Sequence, residues 1–163
     1  MISKIFPHDA RFTRVMSILS VLNQNSGKLS LSDLSEESGT QVDELLPQVN
    51  AAKMLGLIKV KESDVVITKL GKALHRKDEG SESEVGKKLA GFEPFMAAIA
   101  LSKRRKNFTA EQVSDFMAAK DVYLHVDEHE NANLITTILL QWAIEFNLLA
   151  YDGERKVWSR KAQ

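Results

Sequence analysis

Two stretches carry residue types that can do chemistry. His125-Val126-Asp127-Glu128-His129-Glu130 gathers imidazoles and carboxylates within a few positions. On a helix, His125 and His129 would share a face. On an extended strand, His125, Asp127 and His129 would line one side, and two imidazoles with a carboxylate suit zinc. The plainer alternative is a polar loop ahead of a helix, with Asp127 or Glu128 serving the helix N-terminus. The second stretch, Lys103-Arg104-Arg105-Lys106, could meet phosphate. It also falls at the end of an expected helix, where each cation gains about 0.3–1 kcal/mol from the helix dipole.

Nothing else has the makings of catalysis. The serines fall at expected caps and turns, and His8 and His75 have no partner that spacing identifies. Cysteine is absent, which excludes disulfides, thiolate metal cages and cysteine nucleophiles. No G-x-x-x-x-G-K-[ST] occurs, so the chain has no P-loop for ATP hydrolysis. The expectation is a protein without cofactor or enzymatic activity.

Charge narrows the binding classes. The 163 residues carry 22 basic and 22 acidic side chains, so the chain lacks the overall basicity of a simple nucleic-acid binder. The distribution is uneven. Lys59, Lys61, Lys69, Lys72, Arg76 and Lys77 cluster after the first expected helix-turn-helix, and Arg155, Lys156, Arg160 and Lys161 lie near the C-terminus. From Asp121 to Glu154 there is no lysine or arginine. The nucleic-acid candidates are therefore Lys59, Lys61, Lys103, Arg104, Arg105, Lys106, Arg155 and Lys156, touching phosphate without reading bases. Lys59 and Lys61, on alternate strand positions, equally suit the solvent face of a hairpin. Blocks of opposite charge also suit self-association.

The elements that must position these residues are mostly helical. Phe12, Val15 or Met16, Leu19 and Leu22 recur at helical spacing and predict a helix from Asp9 to about Asn25. Ser32 can cap a short helix that Gly39 stops. A third helix is expected from an Asp43 cap to Leu55, burying Leu45, Val49 and Ala52 and showing Asp43, Glu44, Gln48 and Lys53 outward. Pro47 would then lie in its first turn. The β-prone runs Ile58–Lys61 and Val65–Thr68 flank Glu62-Ser63-Asp64 and predict a hairpin, followed by a helix from Lys69 to about Lys77.

The polar stretch Asp78 to Glu84 reads as a boundary. The expected organisation is a first module over 1–77, a linker over 78–84 and a second module over 85–163. In the second, helices are expected from Val85 to Ala90, from Pro94 to Lys106, from a Thr109/Gln112 capping box to Lys120, and from Glu128 to Phe146. A hairpin turning at Asp152-Gly153 closes the chain. A shift of 91 residues pairs Gly56 with Asn147, Ile58 with Leu149, Ile67 with Trp158 and Thr68 with Ser159, without a gap. Trp142, Phe146, Tyr151 and Trp158 could stack bases, but their spacing fits a core. The fold class expected is mainly α with short β-hairpins (α+β), as a tandem winged helix-turn-helix.

"VDELLPQVNAAKMLGLIKVKESDVVITKLGKAL", "FEPFMAAIALSK" and "WAIEFNLLAYDGERKVW" resemble the AAA-associated C-terminal domain family. The likeness covers roughly residues 28–158 and rests on Pro47, Gly56, Gly71, Pro94, Trp142, Tyr151 and Asp152. Ala143, Ile144 and Glu145 depart from the family's usual glycine, arginine and tyrosine after the tryptophan. The resemblance implies a role beside the ATPase subunit of nitrate- or sulfonate-type ABC importers, or a free-standing regulator, and brings no catalytic residues.

The functional expectation is a regulatory or protein-interaction module whose partner is a protein, such as a transporter ATPase, or a second copy in a homodimer. The alternative is a winged-helix DNA-binding regulator. No signal-like leader and no apolar run longer than Phe95–Leu101 point to a cytoplasmic chain without membrane insertion.

Overall fold

The computed structural model describes residues 4–161. The protein is mainly α-helical with two small antiparallel sheets. Packing divides it into two units, Asp9–Val85 and a second formed by residues 4–8 with those from Gly86 onward.

In the Asp9–Val85 unit, α1 (Phe12–Gln24) buries Val15, Ile18, Leu19 and Leu22 along one stripe. Strand β1 (Lys28–Ser30) follows. Ser30, not Ser32, caps α2 (Leu31–Ser38), accepting the Asp33 amide hydrogen at 3.0 Å. Gly39 ends α2 in the left-handed conformation. Helix α3 (Val42–Met54) starts from a Gln41 cap, two residues earlier than the Asp43 cap expected. Pro47 therefore lies inside the helix, where the Asp43 carbonyl loses its intrahelical donor. The hairpin β2 (Ile58–Lys61) and β3 (Asp64–Ile67) turns through Glu62-Ser63, with Glu62 at φ 57°. Sheet order is β1-β3-β2, with Leu29 opposite Val65 and Ile58 opposite Ile67. Thr68 caps α4 (Lys69–Arg76), accepting from Gly71 and donating to the Gly56 carbonyl.

Helix α5 (Ser81–Leu89) begins within the polar stretch 78–84. Its acidic first turn, Glu82 and Glu84, suits a helix N-terminus, and Ser81 is buried. In the second unit, α6 (Phe95–Arg104) is preceded by Pro94, which flanks the helix instead of opening it. The Thr109/Gln112 capping box opens α7 (Ala110–Ala118) as expected. Helix α8 (Glu128–Ile138) runs into a π-helical turn, Leu139–Ala143, so α-helical bonding stops short of the expected Phe146. Strands β4 (Leu149–Asp152) and β5 (Val157–Arg160) close the chain.

The second unit repeats the order of the first. Phe108 exchanges backbone hydrogen bonds with Trp158, as β1 pairs with β3, and Thr109 then caps α7 as Ser30 caps α2. The gapless alignment fails in the last strand. Ile58 pairs with Ile67, but Leu149 pairs with Arg160, so the second hairpin loop is longer by two residues. Trp158 is thus the counterpart of Val65, not of Ile67. Because two residues preserve strand parity, the inward-facing positions still correspond.

That longer loop turns differently from the Asp-Gly expectation. The Asp152 carboxylate accepts the Glu154 and Arg155 amide hydrogens, and Lys156, not Gly153, takes the positive φ of 56°.

The core of the second unit is aromatic. Trp142, Trp158, Phe6, Phe95 and Phe108 are fully buried, with Phe6 edge-on to Trp142 at 4.9 Å and to Phe95 at 5.6 Å. Trp142 stacks on Phe146, and Tyr151 lies against Trp158. Trp142, Phe146 and Trp158 are buried in the unit and Tyr151 is half-buried, so they pack as core and not as an open platform for bases.

Candidate functional site

The surface that a helix-turn-helix would offer to DNA is α3, and its composition is unfavourable. The first turn presents Val42, Asp43 and Glu44 to solvent, with Leu46 40 % exposed. Gln48, expected outward, is 2 % exposed. Its Oε1 accepts the Arg11 amide hydrogen at 2.8 Å, and its Nε2 donates to the Asp9 carbonyl at 3.1 Å. Gln48 lies three residues after Leu45 and four before Ala52, so helical spacing places it on their buried stripe whatever residue caps the helix. Asn50 and Lys53 remain outward, further along the helix.

The cations lie on different elements of the two units. Lys59 and Lys61 are exposed on β2, an edge strand, around a cavity of about 440 Å³ that Lys53, Ile58 and Val60 also line. Arg155 and Lys156 sit in the β4–β5 loop. The Lys103–Lys106 run is split. Arg104 lies over the Phe116 ring at 5.5 Å, and Lys120 lies over it at 4.9 Å. Arg105 and Lys106 leave the helix in solvent. Lys103 joins Arg160 and Lys161 around a cavity of about 400 Å³. Those last two cations carry no motif that would tie them to Lys103, and only strand pairing of β5 brings them there.

Glu93 is a buried carboxylate with a structural explanation. One oxygen accepts the Ala97 amide hydrogen at 2.9 Å, and the other is 3.9 Å from the Lys120 ammonium. From behind the proline, Glu93 thus gives an acceptor to the Ala97 amide, one of the first donors of α6 that lacks an intrahelical partner.

His125, Asp127 and His129 do not come together as metal ligands. The His125 Nδ1 accepts the Asp127 amide hydrogen at 3.1 Å, and the Asp127 side chain caps α8 by accepting from Glu130. His129 instead lines a separate cavity of about 240 Å³ with Glu111, Asp115 and Glu128. Among the described residues, no three histidine, cysteine, aspartate or glutamate side chains are placed to hold a metal ion. The loop is tied down by Asn131, which accepts from the Leu124 and His125 amides and donates to Ser114.

Residues that carried the resemblance hold turn, core and close-packing positions. Gly56 and Asn147 hold left-handed conformations, at φ 73° and 57°, between the third helix and the hairpin of each unit. Trp142 is a core residue, Asp152 organises a turn and Gly71 packs against backbone. These positions shape the fold. The model of the C-terminal AAA-associated domain matches residues 32–152. The chain belongs to the AAA-associated C-terminal domain family. No curated protein and no solved structure gave a significant match. Among the described residues, no helix is long and apolar enough to cross a membrane.

Proposed function

We propose that this chain is a non-enzymatic regulatory module that binds protein, built as two winged helix-turn-helix units and working in the cytoplasm beside an ABC-transporter ATPase. The observation that carries the reading is the outward start of α3. In a DNA-reading helix-turn-helix this is the turn that meets base edges. Here it offers Val42, Asp43, Glu44 and Leu46, acids that repel phosphate and apolar side chains that suit a protein surface. The order of helix, extended segment, two helices and hairpin recurs in both units, the segment being β1 in one and the bridged residue Phe108 in the other, and supports the winged-helix description. Family membership supports the link to an ATPase, which this chain, having no P-loop, would serve rather than contain.

A second reading, a DNA-binding regulator, draws on Lys59 and Lys61, exposed on the hairpin that would be its wing. Titrating a fluorescent random duplex across salt separates the two. Phosphate contact gives a slope of about −0.9 in log affinity against log salt per phosphate neutralised. The expected result is no binding at low salt, together with retention of the chain by the ATPase subunit of a nitrate- or sulfonate-type importer. Tight, steeply salt-dependent duplex binding that Lys59→Glu with Lys61→Glu abolishes would overturn the proposal in favour of the second reading.

A further inference from the structure

The cavity that collects Lys103, Arg160 and Lys161 has an unusual electrostatic balance. Lys103 comes from the last turn of α6, Arg160 from the end of β5, and Lys161 follows it. None of the residues lining the space is acidic. Among the described residues, no carboxylate lies within ion-pair distance of any of the three cations. All three are exposed, so water screens their mutual repulsion, and an anion placed among them would meet three cations with no carboxylate lining the space to compete. Favourable interaction with the helix dipole accounts for Lys103 alone. Arg160 and Lys161, on and beyond a strand, lie outside that dipole and are exposed to solvent.

The floor of the cavity is of the opposite character. Ile99 and Leu148 supply apolar surface beside the cations. The space, about 400 Å³, is a cleft widely open to solvent, with room for a group attached to the anion. An arginine guanidinium can hold phosphate oxygens in a fork, and lysines add point charges.

We propose that this cavity binds a small phosphate-type anion carried on an apolar body, the charged end on Lys103, Arg160 and Lys161 and the body on Ile99 and Leu148. A nucleic-acid backbone is the poorer fit. The same unit runs from Asp121 to Glu154 with acids and no lysine or arginine, and an extended polyanion would meet that charge. The inference goes beyond the protein-interaction reading and does not depend on it.

Calorimetric titration of the full chain with phenyl phosphate tests it, with benzyl alcohol, inorganic phosphate and a random DNA duplex as separate arms. Phenyl phosphate should bind in the sub-millimolar range, more tightly than inorganic phosphate or benzyl alcohol. Losing one charge-assisted contact should weaken it about tenfold or more in Lys103→Met and in Arg160→Gln. Lys59→Glu with Lys61→Glu, in the other unit, should leave it unchanged. Unfolding midpoints measured alongside exclude loss of fold as the cause. Phenyl phosphate binding no tighter than benzyl alcohol, or indifferent to both substitutions, overturns the inference and leaves the protein-interaction reading standing. Displacement of phenyl phosphate by the duplex at low salt overturns both.

Discussion

Gly71 and Leu57 are locked together by the absence of a side chain: a Cβ built on Gly71 would overlap the Leu57 carbonyl oxygen and press on Ile67. Gly71 lies in the first turn of α4, and its amide hydrogen bonds to the Thr68 cap. Thr68 in turn donates to the Gly56 carbonyl and, through its own amide, to that of Leu57. Helix α4 is thereby pinned to the loop that ends α3.

Gly71→Ala should therefore destabilise the fold by about 3 kcal/mol, because backbone cannot yield as a flexible side chain would. Urea unfolding would register this as a lower midpoint with an unchanged slope. A variant as stable as the parent would mean that α4 can lift away from Leu57.

Gln48→Met is expected to cost about 2 kcal/mol, since the Arg11 amide hydrogen loses its acceptor in a partly buried place. Duplex binding should not change. A side chain that read DNA would give the reverse pattern, with stability intact and affinity lost, so the pair of measurements assigns Gln48 to one role.

The left-handed position at Asn147 predicts a signature of its own. Asn147→Gly should be nearly neutral, while Asn147→Ala should lose about 1 kcal/mol, the cost of a Cβ at positive φ. Gly56→Ala tests the same conformation in the first unit. Equal stability of the alanine and glycine variants at 147 would show that the loop escapes to another conformation.

Much of the fold is legible because it is local. Apolar residues at helical spacing mark α1, the Thr109/Gln112 pair marks the start of α7, and Gly39 marks the end of α2. Each depends on contacts within a few residues, so a linear reading can find it. The correspondence of Gly56 with Asn147 is legible for the same reason, both residues tolerating the left-handed cap.

What escapes a linear reading depends on partners far along the chain. Strand β1 is three residues without a distinctive pattern, and it exists because β3 offers it an edge. Phe6, ahead of the first helix, gives no sign that it belongs with Phe95 and Trp142 in the second unit. The Glu62-Ser63 and 153–156 loops differ by two residues, a difference that alternation of inward and outward positions cannot reveal.

By itself, then, the sequence determined the helical class, the repeated plan and the family, all written in residue types and short spacings. Tertiary structure alone decided the site. It withdrew Gln48 into the interior, turned His125 to its own loop, and divided the Lys103–Lys106 run between an aromatic ring, solvent and a cavity. The physical reason is that a side chain's chemistry depends on what surrounds it. For Lys103 those surroundings are Arg160 and Lys161, more than fifty residues away along the chain.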